Sequence, residues 1–238
     1  MRILAFETSA KAASVAILEE DKLLGESYLN CGQTHSRTLM KLAEDLLAVC
    51  ELTAKDITAV ACAAGPGSFT GVRIGTAAAK GFAWGREIPC VGVSTLEAMA
   101  QQARLFEGIV CCAMDARREQ VYNALFSCER GSLTRLTEDR AISLEELAQM
   151  LKNEKKPKIM VGDGAQLCYN TIGKNLSGCV LAPEHIVMQR ASGVALAARR
   201  LLLSGADFDG AALVPNYLRL SQAERERNER LQKSKGEA

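Results

Sequence analysis

The sequence predicts an α/β protein made of two copies of one β-β-β-α-β-α unit. Three observations predict it. Each half opens with a block of short strands joined by tight connections, and each block is followed by a helix, a strand and a further helix. The third is the apolar fraction, 48% of 238 residues, enough for one large domain or two small ones with separate cores.

Arg2 to Glu7 reads as the first strand. A polar turn over Ser9 to Ala12 leads to the second, Ser14 to Glu19, and Glu20-Asp21 joins that to the third, Lys22 to Leu29. Connections this tight favour antiparallel pairing, because parallel strands need a long crossover. Thr34 or Ser36 then caps a helix running to about Cys50, in which Leu39, Leu42, Leu46 and Val49 recur at helical spacing. Ile57 to Ala64 is a buried strand, Gly65 to Thr70 a turn, and Gly71 to Gly85 a helix. Cys90 to Val93 and a helix over Ser94 to Arg104 close the first half.

The second half repeats this grammar. Gly108 to Met114, Gln120 to Cys128 and Leu133 to Arg140 are three strands. Ser143, with Glu146 three residues on, forms a capping box for a helix to about Lys152. Lys158 to Gly162 is a strand and Ala191 to Leu203 a helix. The order of elements is shared between the halves, while residue identity is not. Two such units face to face are the ribonuclease-H-like duplication of the actin, Hsp70 and sugar-kinase superfamily. The expected division is 1–105, 106–220 and a charged tail, 221–238, whose mixed charges and scarcity of apolar residues read as solvated chain.

Composition excludes several classes. A formal net charge of +1 gives no global basic field for nucleic acid. The 9 cysteines are odd in number, lack a Cys-x-x-Cys pair and sit mostly in apolar runs, which favours reduced, buried thiols over a disulfide frame or zinc site. The start, Met1 to Glu7, lacks the apolar stretch of a signal peptide. No run approaches the roughly 18 apolar residues of a membrane span. A cytoplasmic protein is expected.

Four segments carry a resemblance. They are Glu7-Thr8-Ser9; Gly65-Pro66-Gly67-Ser68-Phe69-Thr70-Gly71-Val72-Arg73; Asp115-Ala116-Arg117-Arg118-Glu119-Gln120-Val121-Tyr122; and Pro215-Asn216-Tyr217-Leu218-Arg219. In order and spacing they resemble the TsaB (YeaZ-type) family across nearly the whole chain. The resemblance implies an actin-like protein that pairs with its paralogue TsaD, the subunit that transfers threonylcarbamoyl to tRNA adenosine. It also implies a third partner, the ATPase TsaE, and places ATP and metal in the partner subunits.

No catalysis is expected of this chain itself. The metal of TsaD is held by two histidines and an aspartate. On the paralogue's pattern, Thr95 and Met99 stand in place of the imidazoles and Ala191 in place of the carboxylate. A hydroxyl, a thioether and a methyl group do not replace those ligands. Lys11, Ala12 and Ala13 follow Glu7-Thr8-Ser9 where the paralogue is acidic. Asp115-Ala116-Arg117 lacks the glycines that let backbone amides approach phosphate. The chain has just two histidines, His35 and His185.

The remaining candidates have both structural and functional readings. The Gly65 to Gly71 loop precedes a helix, and helix N-termini bind anions, yet it is neither a Walker A loop nor a dinucleotide fingerprint; it reads as a turn. Gly71, Gly75, Ala78, Gly81 or Phe82, and Gly85 form a small-residue strip on the following helix. Such a strip packs inward, or lets a partner helix approach near the short end of the usual 8–10 Å. The expected partner interface is Leu39, Leu42, Leu46, Val49, Gly71, Gly75, Ala78 and Phe82, half of a four-helix bundle. Asp115, Arg117 and Arg118 are either a salt-bridged turn or cleft contacts to a partner or a phosphate. His35 reads as a capping or hydrogen-bonding residue, and His185 as a surface loop residue. Gly162-Asp163-Gly164 sits where actin-like proteins contact adenosine, but a strand-to-helix turn needs glycine there anyway.

The expected function is thus a non-catalytic dimerisation subunit of the tRNA threonylcarbamoyl transferase, with no cofactor or metal of its own. Self-association in isolation is left open, and tRNA is reached through the complex. The alternative is an ATPase or kinase of the same fold, which requires intact phosphate loops and a catalytic carboxylate with Mg²⁺. Direct RNA binding finds no basic face or aromatic platform in the linear sequence.

Overall fold

The computed structural model describes residues 1–205 and 208–219; the charged tail, 221–238, lies outside the described residues. Strands β1 (Arg2–Glu7), β2 (Ala13–Glu19) and β3 (Lys22–Leu29) lead into helix α1 (His35–Val49), strand β4 (Ala59–Gly65), helix α2 (Phe69–Trp84), strand β5 (Cys90–Ser94) and helix α3 (Thr95–Gln102). The first sheet has the order β3-β2-β1-β4-β5. β1, β2 and β3 pair antiparallel, as their two tight turns require, and β1–β4–β5 pair parallel, as their helical crossovers require.

The second half comprises β6 (Gly108–Asp115), β7 (Gln120–Glu129), β8 (Ser132–Arg135), β9 (Arg140–Ser143), α4 (Leu144–Lys152), β10 (Lys158–Val161), α5 (Ala165–Thr171), β11 (Cys179–Leu181), α6 (Glu184–Val187) and α7 (Ala191–Leu203). Its sheet runs β11-β10-β6-β7-β8, with β9 also on β7. The expected strand over 133–140 is therefore two strands, because the chain turns through Leu136–Asp139 and both pieces pair with the long β7. The capping box at α4 forms as expected: the Glu146 amide donates to Ser143 Oγ at 3.1 Å, and the Ser143 amide donates to Glu146 Oε2 at 2.9 Å. At α1 the cap differs, since the Thr34 side chain makes no capping hydrogen bond. The helix start is held instead by His35, whose Nε2 lies 2.8 Å from the Ala10 carbonyl.

Alternation along the strands divides the core. Leu4, Phe6, Val15, Ile17, Val60 and Cys62 meet Leu39, Ala43, Leu46 and Leu47 of α1 and Ala79 and Ala83 of α2. Ile3, Ala5, Ala16, Leu18, Ala59 and Ala61 face the other way, onto Ala98 of α3 and the alanine-rich face of α7. Leu96 and Met99 turn from α3 toward Val110, Cys112 and Phe126 of the second sheet. Its far face is covered by Leu144, Leu147 and Leu151 of α4 and Cys168 of α5. The layers are α1/α2, sheet, α3 and α7, sheet, α4/α5. No helix among the described residues is long and apolar enough to cross a membrane.

Candidate functional site: the cleft and the outer helix pair

The first site begins where β1 ends. Glu7, Thr8 and Ser9 are all buried. The Ser9 amide donates to Glu7 Oε1 at 2.6 Å, and Glu7 Oε2 and Ser9 Oγ have no hydrogen-bond partner. Burial raises the Glu7 carboxyl from its ordinary 4.5 to about 7. Thr8 Oγ1 donates to the Gly71 carbonyl at 2.7 Å, and the Ser68 amide donates to the Ser9 carbonyl at 2.7 Å. The start of α2 is thereby laced onto the loop after β1. Gly65, at φ 117°, is required because a Cβ there would stand 2.4 Å from the Asn216 carbonyl oxygen.

A cleft of about 500 Å³ opens above this lacing. Ser9, Lys11, Phe69 and Thr70 line one bank, with Asp115, Arg117, Tyr122 and Asp163 on the other. The Arg117 amide donates to Asp115 Oδ1 at 2.7 Å. Burial raises the Asp163 carboxyl, which accepts from Gln189 Nε2 at 2.9 Å. Asp115 and Arg117 therefore belong to the cleft, and Arg118 is exposed on the same turn. His185 is exposed on α6.

Thr95, Met99 and Ala191, the positions matching the paralogue's metal ligands, are fully buried. Met99 and Ala191 sit in two different apolar clusters, and Thr95 Oγ1 is unpartnered. A thioether and a methyl group in hydrocarbon surroundings do not fit a hard or borderline cation.

The second site is the outer layer, α1 and α2, and here the expected interface needs correction. Leu39, Leu46, Gly71 and Gly75 face the protein's own interior. Leu39 and Leu46 belong to the core of the first sheet. A Cβ on Gly71 would lie 2.0 Å from the Thr8 carbonyl oxygen, and one on Gly75 would lie 2.5 Å from Thr8 Oγ1. These two glycines let α2 approach β1, so they serve the fold. Leu42, Ala78 and Phe82 are half-buried at its edge, and Val49 is 81% exposed. The outward strip of α2 is Arg73, Ala77, Gly81 and Trp84, which are exposed; of the expected small-residue strip it keeps Gly81, with Gly85 exposed beyond it. A Cβ on Gly81 would meet nothing within 4 Å. Trp84, 81% exposed, ends that strip, and Met40 and Val49 are exposed on α1 among the charged Arg37, Lys41, Glu44 and Asp45. A lone tryptophan at the end of a helix was the available signal; an aromatic of that size is costly to leave in water.

Two mixed sheets in this order, with helices between and outside them, define the actin-like, sugar-kinase class of α/β proteins. Residues 29–227 match the family model described as "TsaD: tRNA N6-adenosine threonylcarbamoyltransferase". The chain is 35% identical over 229 residues to the tRNA threonylcarbamoyladenosine biosynthesis protein TsaB of Bacillus subtilis, covering 94% of this chain and 96% of that protein. It is 35% identical over 225 residues to the protein of the same name from Escherichia coli, with coverages of 92% and 95%. A solved structure described as YeaZ from Pseudomonas aeruginosa superposes with a TM-score of 0.80 at 25% identity, over 91% of this chain and 99% of that one. The chain belongs to the TsaB (YeaZ-type) family of tRNA threonylcarbamoyladenosine biosynthesis proteins.

Proposed function

We propose that the chain is a non-catalytic, cytoplasmic subunit of the assembly that transfers threonylcarbamoyl to the N6 of adenosine in tRNA, and that it supports a catalytic TsaD subunit. The observation that carries this reading is the exposure of two large apolar side chains, Val49 and Trp84, both 81% exposed, at the C-terminal ends of α1 and α2. Exposed apolar patches of this kind mark contact surfaces. Small residues at Ala77 and Gly81 let a second helix pair approach closely. The chemistry of the cleft supports the other half of the reading. Thr95, Met99 and Ala191 offer no ligand set, and Asp115-Ala116-Arg117 keeps side chains where a phosphate-binding backbone needs glycine. ATP and metal then reside in the partners, TsaD and the ATPase TsaE, and the isolated chain self-associates through the same face. All nine cysteines are free thiols, in keeping with a reducing compartment.

The test is turnover of threonylcarbamoyl transfer to tRNA by TsaD with TsaE, with and without this chain, and by this chain alone. The expected outcome is stimulation of the first mixture and no turnover by the chain alone. Turnover by the chain alone would overturn the reading and favour an ATP-using enzyme acting through its own cleft.

A further inference from the structure

Residues 208–219 form neither helix nor strand, yet the segment is tied down along its length. The Cys90 amide donates to the Phe208 carbonyl at 3.1 Å, and Lys80 Nζ donates to the carbonyls of Ala211 and Leu213 at 3.3 Å and 3.0 Å. Leu213 is buried against Gly92, where a Cβ would stand 2.4 Å from Leu213 Cδ1. The Asn216 amide donates to the Ala64 carbonyl at 2.6 Å. The segment is thus a strap that follows α2 from Lys80 back to its first turn.

At that turn the strap meets the outward strip. The Tyr217 ring stacks on Phe69 at 3.9 Å and 3°, and Arg73 Nε donates to the Tyr217 hydroxyl at 2.8 Å. Arg73 is one of the exposed residues of the strip assigned above to a partner. Two residues on, Arg219 reaches the second half of the molecule, where its Nη1 donates to the Ala116 carbonyl at 2.5 Å. Phe69 and Ala116 line opposite banks of the cleft, so the step from Tyr217 to Arg219 spans its mouth.

Arg219 takes hold where the backbone is strained. Arg117, Arg118 and Glu119 are consecutive residues with left-handed backbones, at φ 62°, 56° and 57°. Side chains crowd the backbone in that region, and a run of three persists only where surrounding contacts over-determine it. The turn supplies some of those contacts itself: the Ala116 amide donates to the Gln120 carbonyl at 3.0 Å, and the Arg117 amide to Asp115 Oδ1 at 2.7 Å. From α4 the Leu144 amide donates to the Glu119 carbonyl at 3.2 Å. Arg219 is the contribution of the strap.

We propose that the strap couples the partner face of α2 to the β6–β7 turn. A partner seated on the outward strip steadies Arg73 and Tyr217, Tyr217 fixes Arg219, and Arg219 holds Arg117–Glu119 left-handed at the mouth of the cleft. The turn is the two-state element, because its strained form competes with the right-handed form that L-residues favour. A partner that restrains the strap favours the strained form and shifts the population toward it. The proposal rests on the subunit reading above and names a route by which docking on the outer helices reaches the cleft.

The experiment is hydrogen exchange, read by mass spectrometry on peptides covering residues 115–121, in the free chain and in its complex with TsaD. Co-elution of the wild-type pair is read first, so failure of the subunit reading appears there, before the turn is compared. In the wild type the complex is expected to slow exchange of the turn at least about fivefold. Arg219→Ala is expected to co-elute with TsaD, to exchange faster than wild type at the turn when free, and to show no slowing on binding. Tyr217→Ala breaks the link at its other end and is expected to lose the slowing too. Exchange in β10 is expected to be alike in every sample, which reports an intact fold. Slowing kept at its wild-type size in either variant overturns the proposal, since the partner then protects the turn without the strap. Absence of slowing in the wild-type complex overturns it equally, as does loss of co-elution in Arg219→Ala.

Discussion

The two halves share one plan, yet their outer helices face the surroundings differently. α4 presents Glu145, Glu146 and Gln149, and α5 presents Gln166 and Asn170, with Met150 and Leu167 at 41% and 40% exposure. α1 and α2 also expose charge, at Arg37, Lys41, Glu44, Asp45 and Arg73, but add Val49 and Trp84, each 81% exposed, beside Ala77 and Gly81. A glycine in a helix interior costs roughly 1 kcal/mol against alanine. Gly71 and Gly75 recover that cost inside the molecule, where Thr8 leaves no room for a Cβ. Gly81 recovers nothing inside, which fits the proposed contact with a partner helix. In the proposed function one helix thus carries glycine for two reasons, an inner approach to β1 and an outer approach to a partner.

The largest expected effect tests the inner reason. Gly71→Ala places a methyl group against the Thr8 carbonyl, and the cost is expected to be about 3 kcal/mol or more, read as a lower urea midpoint. Close behind is the buried carboxylate on the same loop. Burial raises Glu7 from 4.5 to about 7, so the folded state holds a proton that the unfolded state has lost. Stability from this group is therefore full below pH 4.5, falls as pH rises toward about 7, and levels off above that. The loss is about 3 kcal/mol in all. Glu7→Gln is expected to remove that slope, seen by comparing urea midpoints of the two proteins at acid and mildly alkaline pH. A wild type and variant that change in parallel would contradict the assignment.

Gly81→Ala sharpens the comparison from the other side. Its methyl group enters open space in the protomer, so the chain diluted below self-association is expected to gain about 0.5–1 kcal/mol in urea unfolding. A loss would mean that Gly81, like Gly75, serves the interior.

Much of this was legible in the residues. The tight connections at Ser9–Ala12 and Glu20-Asp21 implied antiparallel strands, and the Ser143–Glu146 spacing implied the start of α4. The break between β8 and β9 was not legible, since Leu133–Arg140 has no proline or glycine to mark a turn. α5 is only 7 residues long, too short for a periodic signal. At the sites the limits are sharper. Glycine has no side chain, so hydropathy does not reveal which way Gly75 or Gly81 faces; the expected interface included Gly75 for that reason.

The central claim is that the α1/α2 layer, and not its counterpart, is the contact surface. Trp84→Glu and Leu167→Glu each place a carboxylate on an exposed helical position, at 81% and 40% exposure, and each is expected to change stability by no more than about 0.5 kcal/mol. Titration of TsaD into each variant decides the matter. The account predicts at least a tenfold (about 1.4 kcal/mol) weaker Kd for Trp84→Glu and a wild-type Kd for Leu167→Glu; equal affinities for the two variants would contradict it.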